Sequence, residues 1–523
     1  MTRSQNSFFN AVTSIGAMLL VVTLNFITRT VFVRYLGTSY LGIEGLFTNI
    51  LSMLSLADLG IGYAISFKLY KPIEEDDRPR IRVLLKLYRQ AYLVIGAVVV
   101  ALGLCLIPLL PRLVRDYDRF AQLGLNPVLI FCLYLLGTAS TYWVFAYKAS
   151  FVRANQKSYL LTTAGYVTSI LSSALQIAAL VLYRSFMLYI LVQLCFQVAP
   201  GLVEGFICDR RYPIVKEKTG ERISREEMRE FVRDCSALLL YRIHNVVINA
   251  SDNIVLSAIH GLDSVGLYAN YLILKNALRN LLDTALTALQ ASLGSIYSTG
   301  NLEWSRLMFR VVHFITIWLY GVGAIGLAVL MNEFIPLWLG SEKYVITVWA
   351  FRGSLLRTPL SLLVGIELYI IGQRQFYGMF REVMGLFQYY KYRPLASVAV
   401  NLAVCIPGVW YFGPAGCVIS TIVAGLTTNM IFDPIVIHRY ALHMPVRSFY
   451  LRNLLYAAVI AGSGLLTWRL CGLVHPEGLW GFLLRGCMCV LIPSAVITGC
   501  FFRTQEFRML LQTARELWPK KDG

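Results

Sequence analysis

Long apolar runs recur along this chain of 523 residues, and they constrain its fold more than any other feature. A helix needs about 20 mostly apolar residues to cross the hydrocarbon core of a bilayer. We therefore expect an all-α polytopic membrane protein with about 14 transmembrane helices. The predicted spans lie at about 9–36, 41–69, 90–111, 125–147, 159–183, 186–208, 232–259, 264–296, 311–338, 345–372, 394–412, 415–437, 452–473 and 479–502.

Composition and charge agree with this reading of the runs. Hydrophobic residues make up 57% of the chain and charged residues 15%, which leaves too little polar surface to cover a soluble protein of this length. The net charge of +18 comes from Lys and Arg that gather in the even-numbered connections, as in 68–89 and 209–233. Cytoplasmic loops show this bias, so both termini are predicted to lie in the cytoplasm. The basic excess therefore does not indicate nucleic acid as a partner.

Motifs for nucleotide and metal chemistry are missing from the sequence. No G-x-x-x-x-G-K-[ST] run occurs, and no cysteine pair stands at zinc-ligand spacing, so we expect neither a cofactor nor a metal. His244 and His313 lie in apolar runs and are interpreted as structural residues. A membrane-embedded glycosyltransferase or polymerase would need a larger outward loop than 112–124. The chain is therefore predicted not to be an enzyme.

An internal repeat is indicated by two pairs of similar segments. Gly37–Ile43 and Gly261–Leu267 both read G-x-x-x-x-G-[IL], and Asn155-Gln156-Lys157 is echoed by Gly372-Gln373-Arg374 in what we expect to be the equivalent loop. A duplicated six-span unit would form parallel repeats that bind substrate between two bundles near the midplane. The predicted domains are an N-terminal six-helix bundle (1–208), a cytoplasmic linker (209–231), a C-terminal six-helix bundle (232–440), and an extra two-helix segment with a cytoplasmic tail (441–523).

Ionisable residues inside the spans are the candidate functional residues. Each costs about 2.5–3.5 kcal/mol at a helix centre, so each must face a partner or water. A cavity that joins the cationic ones would suit a pyrophosphate group, because Arg binds its oxygens in pairs. The predicted substrate-binding residues are Arg29, Arg242, Lys275, Arg279, Arg352 and Arg357. Asp58, Asp252 and Asp283 are predicted to couple an ion or to be structural.

Three of these assignments have simpler alternatives. Arg279 and Asp283 stand four residues apart and would also pair as a salt bridge on one helix face. Arg29 could extend to the membrane surface, with its stem in the apolar region. Asp58 could hydrogen-bond the backbone near Gly60 and Gly62.

Several motifs resemble polysaccharide-export flippases of the multidrug/oligosaccharidyl-lipid/polysaccharide superfamily. They are Phe32–Gly37 with Leu41-Gly42-Ile43, Leu56–Gly62, Gly385-Leu386-Phe387, Lys391–Leu395 and Tyr411–Gly416. The resemblance runs from about residue 8 to residue 440, and the last two spans correspond to an extra pair that some members carry. It implies two six-helix bundles around a central cavity.

The resemblance also implies a function in the bacterial cytoplasmic membrane. Such proteins move undecaprenyl-pyrophosphate-linked oligosaccharide repeat units from the inner to the outer leaflet, for capsule, exopolysaccharide or O-antigen export. The expected partners are the lipid-linked oligosaccharide and membrane lipids, and contacts with a polysaccharide polymerase and glycosyltransferases stay open. Two alternatives also stay open, a flippase for the peptidoglycan lipid precursor and a multidrug antiporter of the same superfamily.

Overall fold

A computed structural model describes most of the predicted spans as helices. The described residues are 20–54, 69, 72–73, 75–113, 117, 120, 123–144, 146–155, 158–217, 250–298, 301–341, 345–349, 357–384, 386, 389, 393–474 and 478–517. The main helices are α1 (20–35), α2 (Thr38–Leu54), α3 (Arg78–Leu106), α4 (Pro127–Trp143), α5 (Ser158–Ala178), α6 (Phe186–Arg211), α7 (250–260), α8 (Leu262–Ser298), α9 (Leu302–Leu339), α10 (Leu360–Val383), α11 (Arg393–Phe412), α12 (Pro414–Leu442), α13 (Val446–Leu473), α14 (Gly478–Phe501) and α15 (Gln505–Leu517).

These helices confirm the predicted fold class, an all-α polytopic membrane protein. In the described part of the chain, eight helices are long and apolar enough to cross a membrane, and α4 is a shorter apolar helix. Helices α1 to α14 correspond one by one to the fourteen predicted spans. Capping residues fix several starts, since Asn126, Ser185 and Asn301 each accept a hydrogen bond from the first turn of the helix that follows.

The tenth span differs from its prediction. Residues Thr347–Trp349 (β1) and Arg357–Pro359 (β2) pair as a short antiparallel ladder, and α10 begins only at Leu360. An apolar run does not by itself distinguish a strand from a helix, which explains the early start that was predicted. Because α10 continues to Val383, Gly372-Gln373-Arg374 lies inside a helix, and the prediction of an equivalent loop there was wrong.

The first pair of repeated segments has matching local structure. Gly37 follows α1 with φ of 90°, and Gly261 follows α7 with φ of 83°, so each glycine ends one helix in a conformation that other residues rarely adopt. The two segments also touch, because the Ser39 hydroxyl donates to Asp263 Oδ1 at 2.5 Å across 224 residues of sequence. The matching conformations of Gly37 and Gly261 agree with an internal repeat at these two loops. The predicted domain boundaries remain a prediction.

The chain divides into two compact units, Met1–Gly266 and Leu267–Gly523. In the first unit Phe32 packs edge-on against Tyr189 of α6. In the second, a cluster around Phe309 joins α9, α10, α12 and α13. His313 lies in this region, with its ring 4.8 Å from that of Phe376 and its Nε2 atom 3.0 Å from Gln373 Oε1. This buried, hydrogen-bonded position agrees with the structural role predicted for His313, whereas His244 lies outside the described residues.

Candidate functional site

The two predicted cations of α8 lie in ion pairs within the second unit. Lys275 Nζ is 2.7 Å from Glu367 Oε1 of α10, and both side chains are buried. One turn further along α8, Arg279 Nε is 3.2 Å from Asp283 Oδ2. The hydroxyl of Tyr320 on α9 also donates to Asp283. The salt-bridge alternative for Arg279 is thus confirmed, and the network connects α8 with α9 and α10.

Arg29 of α1 turns toward the interior of the first unit. Its Nη1 atom is 3.9 Å from Glu44 Oε2 on α2, and its side chain is only 13% exposed. The hydroxyl of Tyr189 donates to the other carboxylate oxygen of Glu44 at 3.4 Å. The Nε and Nη2 atoms of Arg29 are buried without a hydrogen-bond partner among the described residues. Arg29 is therefore an inward-facing cation that keeps two donors available.

The remaining predicted site residues are described only in part. Arg242, Arg352 and Asp58 lie outside the described residues, and of Arg357 only the backbone, in β2, is described. Asp252 on α7 is buried, with 8% of the residue exposed.

Among the predicted substrate-binding residues, three have described side chains, and each of these lies against a carboxylate. Arg29, Lys275 and Arg279 form pairs that carry no net charge, so they add no positive excess to a lumen. A buried charge without a partner would cost several kcal/mol, which explains why such residues come in pairs. The predicted cationic lumen therefore depends on residues outside the described part and on the free donors of Arg29.

A polar cavity of about 680 Å³ lies inside the first unit. Five helices line it, α1, α2, α4, α5 and α6. Hydroxyl and amide side chains dominate the lining, and Glu44 is the one charged residue among its described lining residues. The polar lining residues are Asn25, Glu44, Thr48, Ser52, Tyr134, Thr138, Thr141, Tyr142, Thr168, Ser169, Ser172, Ser173, Gln176, Tyr189, Gln193 and Gln197.

The pattern of charged residues did not predict this cavity, although the sequence contains another signal for it. On α6, Tyr189, Gln193 and Gln197 are spaced four residues apart, and on α5, Thr168, Ser172 and Gln176 show the same spacing. Side chains four apart share a helix face, so both helices have a polar stripe. Amides and hydroxyls are uncharged, so the positions of ionisable residues do not reveal these stripes.

A second cavity of about 320 Å³ shares four lining residues with the first, Thr141, Tyr142, Gln197 and Pro200. It extends along α6 to Gly201 and Glu204 and reaches Ser150 in the short helix Ala146–Ala154. The two cavities together therefore extend along about four turns of α6, from Tyr189 to Glu204.

Apolar helices around a polar interior are typical of a multi-pass membrane protein, and sequence comparison gives its family. The chain matches the family described as polysaccharide biosynthesis protein over residues 8–290. It belongs to that family. No curated protein matches the sequence.

Solved structures share the fold at low sequence identity. The lipid II flippase MurJ in an inward closed conformation is similar with a TM-score of 0.66 and 14% identity, over 96% of this chain and 100% of that one. An inward-facing multidrug resistance MATE family transporter of the MOP superfamily is similar with a TM-score of 0.61 and 14% identity, over 82% of this chain and 98% of that one. At this identity the likeness shows the fold.

Proposed function

We propose that this protein is a flippase that moves undecaprenyl-pyrophosphate-linked oligosaccharide repeat units from the inner to the outer leaflet of the bacterial cytoplasmic membrane. The product would serve capsule, exopolysaccharide or O-antigen export. The observation that carries the proposal is the match to the polysaccharide biosynthesis protein family over residues 8–290. The fold shared with the lipid II flippase MurJ supports it.

The physical problem in such transport is the polar head of the lipid. The transfer of each hydroxyl group into hydrocarbon without a hydrogen bond costs several kcal/mol of free energy. A polar cavity of about 680 Å³ inside an apolar bundle supplies replacement donors and acceptors, while the lipid tail stays in the bilayer. The alternation of access would come from rocking of the two repeats.

The pyrophosphate brings negative charge, which the membrane potential drives outward. Each unit charge that leaves a negative interior gains about 2.3 kcal/mol per 100 mV. Arg29 is the described candidate to contact the phosphates, because it has two free donors. Arg242, Arg352 and Arg357 would add to it. Lys275 and Arg279 would act through their ion pairs as structural residues.

Coupling to an ion is not required when the potential supplies the driving force. Asp58 and Asp252 remain the candidates for an ion-coupled step, and we assign Asp283 a structural role because Arg279 and Tyr320 both bind it. Transport needs no catalytic residue, so we propose no enzymatic activity. Glycosyltransferases would supply the transported unit, and a polymerase would consume it.

The proposed orientation places both termini in the cytoplasm. It rests on the Lys and Arg of the even-numbered connections, such as 68–89 and 209–233. A fluorescent protein that folds only in the cytoplasm, fused after Gly523, should therefore fluoresce. A dark but full-length fusion would contradict this orientation.

The gene-deletion test described below also distinguishes two other candidate substrates. The peptidoglycan lipid precursor shares the pyrophosphate, and the fold likeness to a lipid II flippase favours it as the second candidate. A cationic drug would be repelled by a net cationic lumen, but the ion pairs of Arg29, Lys275 and Arg279 weaken that argument.

Deletion of the gene tests the proposal. We expect lipid-linked repeat units to accumulate while surface polysaccharide is lost, and the wild-type gene should restore both. Accumulation of the peptidoglycan precursor would favour the second candidate. Unchanged lipid pools with increased sensitivity to cationic drugs would overturn the proposal.

A further inference from the structure

The lining of the first unit's cavity is suited to an uncharged, hydroxyl-rich ligand. Its described lining residues include no Lys or Arg, and Glu44 is the single acid. Phosphate groups bind most strongly to the cationic donors of Lys and Arg, and a carboxylate repels them. A sugar offers donors and acceptors in equal measure, which hydroxyl and amide side chains can match.

Among the described residues of the cavity wall, two buried side-chain atoms have no hydrogen-bond partner in the described part of the chain. Tyr134 is 92% buried, because 8% of the residue is exposed, and its hydroxyl makes no hydrogen bond among the described residues. The Oε1 atom of Gln193 on α6 is also buried without a hydrogen-bond partner among the described residues. Buried polar atoms are nearly always hydrogen-bonded, so both indicate a molecule that the protein itself does not supply.

Size and ring chemistry agree with that reading. A volume of about 680 Å³ lies within the range of small-ligand sites, roughly 300–1,000 Å³. The rings of Tyr142, Tyr189 and Phe196 also line the cavity, and aromatic faces give a sugar ring an apolar surface beside its hydroxyls.

We infer that this cavity binds the sugar portion of the transported lipid, separately from its pyrophosphate. The inference rests on the flippase function proposed above and adds a location to it. Arg29 lies next to Glu44, at the edge of the cavity rather than in its lining. A bound lipid would thus place its sugars among α4, α5 and α6, and its phosphates toward Arg29.

Gly165 offers a direct way to fill the cavity. It lines the cavity on α5, and a Cβ atom added there meets nothing within 4 Å. Gly165→Leu therefore places a side chain in the sugar space without a backbone clash. Gly462→Leu is the matched control, since Gly462 is an exposed helical glycine of α13 with equally open surroundings. Tyr134→Phe is a second variant that keeps the packing and removes one hydroxyl.

The experiment measures binding to the full-length protein in lipid nanodiscs by calorimetry. The probes are the neutral oligosaccharide that mild acid releases from the host's own lipid-linked pool, and undecaprenyl pyrophosphate without sugar. We expect the oligosaccharide to bind wild type and Gly462→Leu, and not Gly165→Leu. Tyr134→Phe should weaken it roughly two- to tenfold, the effect of one hydrogen bond. The sugar-free lipid should bind all four proteins alike.

Equal oligosaccharide binding by Gly165→Leu and wild type would overturn the inference and leave the cavity as a site for water only. Absence of binding to wild type would overturn it as well. The gene deletion separates these results from failure of the proposed function. Accumulated lipid-linked units in the deletion strain would preserve the flippase function, even where the cavity variants bind normally.

Discussion

Lys275 is a charged side chain in the middle of α8, a predicted membrane span, and its partner Glu367 comes from a different helix. The sequence predicts that such a cation needs a partner or water, because an isolated charge in hydrocarbon is costly. It does not predict which partner, since Glu367 stands 92 residues away. The Arg279–Asp283 pair could be predicted, because four-residue spacing on a helix defines neighbours. Local spacing therefore predicts contacts within a helix, and contacts between helices need the fold.

Breaking the Lys275–Glu367 pair should destabilise the protein strongly. Lys275→Met leaves a buried carboxylate without its partner, and we expect a loss of about 3–5 kcal/mol in unfolding free energy. The double variant Lys275→Met with Glu367→Gln should lose less, because no charge is then left unpaired. Arg78→Ala is the control, since its pair with Asp76 is mostly exposed and contributes at most about 1 kcal/mol. Unfolding of the purified variants in detergent measures all three.

An equal loss for Lys275→Met and Arg78→Ala would contradict the assignment of a buried ion pair. A double variant with a lower free energy of unfolding than Lys275→Met would also contradict this assignment.

Helix α2 shows how a repeated motif becomes a packing contact. Gly42 belongs to the G-x-x-x-x-G-[IL] segment, and a Cβ atom there would overlap the backbone carbonyl of Leu262 at the start of α8. The two motifs were recognisable from sequence as a repeat, whereas their contact was not. The short strands β1 and β2 were missed for a related reason, because apolar content alone does not fix the backbone conformation.

Gly42→Ala should therefore destabilise the contact between α2 and α8. We expect a loss of about 1–3 kcal/mol, typical of overpacking where the neighbour is backbone and cannot rotate away. Gly45→Ala, one turn further on, is the control, because its Cβ would stand 3.6 Å from Val265 Cγ1 in ordinary contact. Thermal unfolding of the two purified variants makes the comparison. Equal stability of the two variants would contradict the close contact between Gly42 and the backbone of Leu262.

At the scale of the whole molecule, the run lengths and loop charges predicted a multi-pass helical protein, and the helices confirm it. The candidate site was predicted less well. Attention to charges led to residues that turn out to be paired, such as Lys275 and Arg279. The polar cavity of the first unit is made of uncharged side chains from five helices, and only the fold brings these together.

The proposed function requires this chain to carry a lipid-linked oligosaccharide across a bilayer. The direct measurement uses proteoliposomes that hold the purified protein and a lipid-linked repeat unit in both leaflets. An added glycosidase or lectin, which cannot enter the vesicles, reports the fraction of sugar exposed outside. A membrane potential is applied that drives anions out of the vesicles. We expect wild type to expose nearly all of the sugar, whereas Gly165→Leu leaves the sugar of the inner leaflet protected. If half of the sugar stays protected both in vesicles with wild-type protein and in vesicles without protein, the proposed function is contradicted.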